Sequence, residues 1–113
     1  MKVKVTLVVF EHPNPTEWDR YCSYCPELWD FFGRGDTIQQ CIDWVQTNLE
    51  EELQNRNKYR NLKIRNWVYD NNCAIPPIFT HDEAVKLTEK SYEIDIPEYQ
   101  IFELYAEVPI LPS

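Results

Sequence analysis

The order of hydrophobic patterns along the chain predicts an α+β fold. It consists of a three-stranded antiparallel meander, a long helix packed on the sheet, a short second helix and a closing strand. Three observations carry this reading. Apolar residues alternate with polar ones near both ends of the chain, with the period of two that belongs to strands. Between them, Ile38, Cys41, Ile42, Val45, Leu49 and Leu53 recur at helical spacing and form one stripe. The first three strand segments are joined by short breakers, and strands with short links pair antiparallel.

Taken in order, Lys2 to Phe10 is the first strand. Val3, Val5, Leu7 and Val9 share one face, while Val8 and Phe10 make the second face apolar toward the end. A strand apolar on both faces belongs in the interior of a sheet covered on two sides. Glu11 to Thr16, with prolines at 13 and 15, breaks the chain. Glu17 to Tyr24 reads as the second strand and Trp29 to Phe32 as a short third. Both glycines of the protein follow, at 33 and 35. Glycine reaches backbone angles that cost other residues energy, so Gly33 and Gly35 predict a sharp strand-to-helix corner. Asp36 is placed to cap the helix, with Gln39 completing an Asp-x-x-Gln box.

The helix starts at Thr37. The segment 55–72 is ambiguous, because six asparagines lower helix propensity while Leu62, Ile64, Trp67 and Val68 are apolar. Ile75-Pro76-Pro77 stops whatever precedes it. Thr80-x-x-Glu83 is a capping box that opens a second helix to about Lys90. Tyr99 to Ile110 closes the sheet, with Phe102, Leu104, Ala106 and Val108 on its packed face.

A chain of 113 residues fits one domain spanning 1–113. At this size roughly two-thirds of the unfolded surface is buried, enough for a core without disulfides or metal. A hydrophobic content of 43% argues against disorder. The net charge of −8 disfavours a general nucleic-acid surface, which needs Lys and Arg for phosphate, and suits a basic protein partner. No segment reaches the ~20 apolar residues of a membrane helix, and the apolar run Val5 to Phe10 is shorter than a secretory core. These features place the chain in the cytoplasm, where four cysteines read as free thiols.

Candidate chemistry is sparse. Cys22 and Cys25 have the Cys-x-x-Cys spacing of zinc and redox sites. At a strand end, however, that spacing directs the two side chains to opposite faces. Gly33-Arg34-Gly35 before a helix suggests a phosphate cradle, but Asp36 stands where the phosphate would approach and no Lys-Ser/Thr pair follows. His12 and His81 have no nucleophile motif near them. No catalytic pair, cofactor or metal is expected, so the chain reads as non-enzymatic. A second possible surface is the basic and aromatic run of Arg56, Lys58, Tyr59, Arg60, Lys63 and Arg65, with Trp67 beyond it. Basic residues with interleaved aromatics bind single-stranded nucleic acid; as a plain solvated face they have only packed stems.

Pro26-Glu27-Leu28, then Gly35-Asp36-Thr37, a long amphipathic helix, a Pro-rich exit at Ile75-Pro76-Pro77 and a closing strand from Ile101 together resemble the HicB-like antitoxin domain. The chain departs from the family pattern at Trp29-Asp30-Phe31, where a Pro-Gly-Cys-like turn is usual, and 55–72 stands as an insertion. The resemblance implies a degenerate ribonuclease H-like βββαβ fold without the nuclease site. In agreement, the first strand carries no carboxylate from Lys2 to Phe10 to hold a catalytic magnesium. It further implies a protein-binding domain that masks a small basic HicA-like RNA-cleaving toxin and self-associates as a dimer or higher homo-oligomer, the last strand being a candidate edge for pairing. Many family members carry a C-terminal DNA-binding module; none is expected here.

Overall fold

The computed structural model describes residues 1–14 and 20–111. Four strands form one antiparallel sheet: β1 (Lys2–Glu11), β2 (Tyr21–Tyr24), β3 (Phe32–Gly35) and β6 (Gln100–Glu107), in the order β3-β2-β1-β6. A second, two-stranded sheet pairs β4 (Val68–Asp70) with β5 (Cys73–Ile75). The helices are α1 (Ile38–Lys58) and α2 (His81–Tyr92), and a 3₁₀ turn spans Asn61–Arg65. The α+β class, the meander and the long helix on the sheet all stand as the hydrophobic patterns predict.

β1 lies between β2 and β6 and is covered on both faces. Val3, Val5, Leu7 and Val9 enter the main core with Cys41, Val45, Leu49 and Leu53 of α1 and Leu104, Ala106 and Val108 of the closing segment. On the opposite face Val8 packs with Ala84 and Val85 of α2, and Phe10 with Cys22 and Ile96. Tyr92 stands edge-on to both Phe10 and Phe32, and its hydroxyl donates to the Ser23 carbonyl. Burial holds that hydroxyl protonated far above its ordinary range. α2 covers only part of this face. Lys2, Lys4, Glu103, Tyr105 and Glu107 stay exposed, with Lys4 paired to Glu103 at 3.3 Å.

Three sequence expectations need correction. The third strand begins at Phe32, the last residue expected in it, because Asp30 adopts a left-handed turn (φ 55°) and the aromatic run folds inward before the strand starts. Gly33 and Gly35 therefore lie within β3, and neither has positive φ. Glycine is needed there for close approach. A Cβ on Gly33 would strike the Ser23 hydroxyl and come within 2.5 Å of Val45, and one on Gly35 would sit 2.7 Å from the Gln40 Cβ. Asp36 does not cap α1. Thr37 does, accepting the Gln40 N–H at 3.1 Å, while the Gln40 side chain accepts the Asp36 N–H at 2.7 Å. A Thr37 cap and a Gln40–Asp36 bond thus stand in place of the expected Asp36/Gln39 box. The second strand is seen over Tyr21–Tyr24; the expected portion at Glu17 to Asp19 lies outside the described residues.

Segment 55–72 is ordered by its asparagines. α1 continues to Lys58. Asn71 and Asn72 take φ of 50° and 64°, the type I′ geometry of a two-residue hairpin loop, and Asn66 takes 65° to end the 3₁₀ turn. Buried Asn57 donates to the Pro109 carbonyl and accepts from the Tyr69 hydroxyl. Leu62 and Trp67 join the main core. α2 opens with the predicted Thr80/Glu83 capping box and runs to Tyr92.

Candidate functional site

The residues with chemical potential are dispersed by the fold. Cys22 faces Phe10 and Ile96 on the α2 side, whereas Cys25 lies in the α1-side core. Desolvation pushes the Cys25 thiol well above its ordinary value, which suppresses thiolate chemistry. Among the described residues no three His, Cys, Asp or Glu side chains gather as a metal site. His12 Nδ1 accepts the Asn14 N–H at 3.0 Å, and His81 is exposed in the first turn of α2. An open cleft of about 630 Å³ beside the β1–β2 connection is lined by Glu11, His12, Tyr21, Asp95, Glu98 and Tyr99, among others. Glu11 in that cleft is taken up by Arg20 at 3.2 Å.

Gly33 and Gly35 pack closely against Ser23, Val45 and Gln40, and the exposed Asp36 gives its N–H to the Gln40 side chain. The basic run does not make one stripe. Arg56 is buried; it donates to the Trp29 carbonyl, pairs with Glu52 at 2.7 Å and stacks 4.1 Å over the Trp29 ring. Arg65 donates to the Tyr24 hydroxyl at 2.8 Å. Arg60 and Lys63 flank the Tyr69 ring, and Arg60 also reaches Asn72. Lys58 lies over Tyr59, whose side chain is 68% exposed. Arg56 and Arg65 are thus part of the scaffold, and only Lys58, Tyr59, Arg60 and Lys63 present themselves outward.

Charge is divided sharply along the chain. Residues 55–80 hold five basic residues and one acidic residue, Asp70, leaving six basic and eighteen acidic residues elsewhere. From Ile38 to Gln54, α1 carries Asp43, Glu50, Glu51 and Glu52 and no basic residue; β6 carries Glu103 and Glu107 and none. These two elements meet. The Gln46 side chain of α1 donates to the Tyr105 carbonyl of β6 at 3.2 Å, and Asp43 and Glu50 stand three residues before and four after Gln46, on the same helix face.

That hydrogen bond marks the outer edge of the sheet. Met1 and Val108 exchange both backbone bonds, at 3.0 and 2.8 Å. In an antiparallel ladder such pairs alternate with non-bonded ones. With Lys2 opposite Glu107 and Val9 opposite Gln100, the even residues of β6 bond β1, and Ile101, Glu103, Tyr105 and Glu107 turn their backbone groups outward. Among the described residues, the Gln46 amide on the Tyr105 carbonyl is the one bond made to them. The sequence suggested the last strand as an edge for pairing. It did not reveal the acidic row of α1 beside that edge, because the adjacency depends on strand order and on where α1 crosses the sheet.

Compared with known proteins, the chain matches no family model, no curated protein and no solved structure.

Proposed function

We propose that the chain is a non-enzymatic protein-binding domain of the HicB-like antitoxin type, which engages and masks a small basic partner such as a HicA-like RNA-cleaving toxin. The observation that carries the reading is the acidic surface shared by α1 and β6, where Asp43, Glu50, Glu103 and Glu107 flank an uncovered strand edge. Opposite charge across an interface speeds encounter and selects partners. The local resemblance at Pro26-Glu27-Leu28 and Gly35-Asp36-Thr37 supplies the antitoxin class.

The test is co-purification with the product of any short basic reading frame next to the gene. A stable complex that blocks RNA cleavage and weakens with salt supports the reading. A second reading rests on exposed Tyr59 between Lys58 and Arg60. Recovery of nucleic acid alone from low salt, lost at high salt and lost in a Tyr59→Ala variant, would replace the antitoxin reading with single-stranded nucleic-acid binding.

A further inference from the structure

We infer that the free edge of β6 receives an extended segment of the basic partner as a fifth strand of the sheet, one in which Lys or Arg alternates with Val, Ile or Leu. The inference deepens the protein-binding reading above by naming how the partner docks.

β6 is eight residues long. At its outer edge, among the described residues, the N–H groups of Ile101, Glu103, Tyr105 and Glu107 and three of the four carbonyls make no hydrogen bond. Edges of this kind bind extended peptides through main-chain hydrogen bonds, with alternate side chains setting specificity. The side-chain pattern follows from the two faces of β6. On the α2 side Glu103 and Glu107 are 59% and 63% exposed, so the incoming residues on that face meet carboxylates. On the α1 side Phe102 of β6 and Ile42 of α1 are half-buried at the rim of the main core, so the incoming residues on that face meet apolar surface. Asp43 and Glu50 add negative charge above the same edge.

The protein already contains a strand that satisfies this pattern. β1 begins Lys2-Val3-Lys4-Val5, and on the inner side of β6 it sets Lys2 opposite Glu107 and Lys4 opposite Tyr105 while Val3 and Val5 enter the core. The Lys4–Glu103 ion pair and that of the N-terminal amine with Glu107, both 3.3 Å, join exposed groups, and such pairs are weak enough to leave the carboxylates available. A second copy of the chain is the poorer occupant, since it would bring two acidic edges together.

The experiment uses fluorescence anisotropy with the intact chain and a labelled eight-residue peptide alternating Lys and Val. Two further forms are N-methylated, one on its Lys amides and the other on its Val amides. A strand turns these two sets of amides to opposite edges. One methylated form should therefore bind at least about tenfold more weakly while the other binds like the parent. Glu103→Pro, which removes an outward N–H and leaves the β1 ladder intact, should weaken binding by a similar factor, and hydrogen exchange at Glu103, Tyr105 and Glu107 should slow in the complex. Equal behaviour of the two methylated peptides overturns the inference whether or not Glu103→Pro folds. Equal binding of a peptide of the same composition in Lys-Lys-Val-Val order also overturns it, since charge alone would then suffice. If the edge fails these tests and a basic protein partner still binds, the docking mode is wrong and the protein-binding reading survives. If the edge passes and no toxin partner binds, the docking mode stands and the antitoxin assignment falls.

Discussion

Glu27 sits in the turn after β2, buried, and its carboxylate accepts the Thr6 N–H at 2.9 Å. It thereby completes the β1 hydrogen bonding beyond the last pair with β2, at Val8 and Tyr24. Desolvation raises its pKa above the ordinary 4.5, opposed by the Thr6 N–H and, more weakly, by Lys4. A carboxyl group with a raised native value binds its proton more tightly when folded. Its contribution is greatest at acidic pH and is lost as pH rises from the ordinary value through the native one. Glu27→Gln keeps an acceptor for Thr6 without the buried charge. The variant should gain stability relative to the parent at neutral pH and lose that advantage in acid, as read by urea unfolding at the two pH values. Two neighbouring residues respond in opposite directions. The Ser23 hydroxyl is buried and has no partner among the described residues, so Ser23→Ala should be neutral or stabilising by up to about 1 kcal/mol. Gly33→Ala drives a methyl group into Ser23 and Val45 and should cost about 1–3 kcal/mol. Denaturation midpoints of the two variants, moving apart, check the packed contact.

α1 draws its stability from one buried stripe. Cys41, Val45, Leu49 and Leu53 are at most 1% exposed, whereas Ile38 and Ile42 are half-buried at its rim. By sequence alone Ile42→Asp is expected to unfold the domain; the structure moves that sensitivity one and two turns along, to Val45 and Leu49. Leu49→Ala should cost about 2–5 kcal/mol, and Ile42→Ala clearly less, in the same unfolding assay. α2 relies on tertiary contact at its far end. Tyr92 binds the Ser23 carbonyl, and Glu89 accepts the Ile96 N–H at 2.8 Å, holding the turn that returns the chain to β6.

Across the whole molecule, α2 decides the direction of the closing strand. Three antiparallel strands and one helix would return a last strand parallel to the first. The second helical traverse reverses it, and β6 pairs antiparallel with β1. This places the eight outward-turned backbone groups of β6 beside the acidic row of α1. The division of charge leads to a prediction at this scale. Reversing Asp43 and Glu50 together to Lys should slow association with a basic partner about tenfold at low salt and have little effect at high salt. Stopped-flow association at the two ionic strengths measures it.

The chain's own pattern was enough for β1, most of α1, the α2 cap and the packed face of β6. Each of these rests on a local period or on a hydrogen bond between residues three apart. The fold class followed from their order. The start of β3, the reason for both glycines, the cap at Thr37 and the hairpin built on Asn71 and Asn72 needed the tertiary structure. Gly33 is required by Ser23 and Val45, ten and twelve residues away, and nothing within the aromatic run 29–32 records that contact. The same is true of the candidate binding edge. Which amides of β6 face outward depends on the pairing of Met1 with Val108, and the charge beside them depends on Gln46 reaching Tyr105. Neither distance along the chain nor hydrophobic period encodes those juxtapositions. They exist only once α1 lies across the folded sheet.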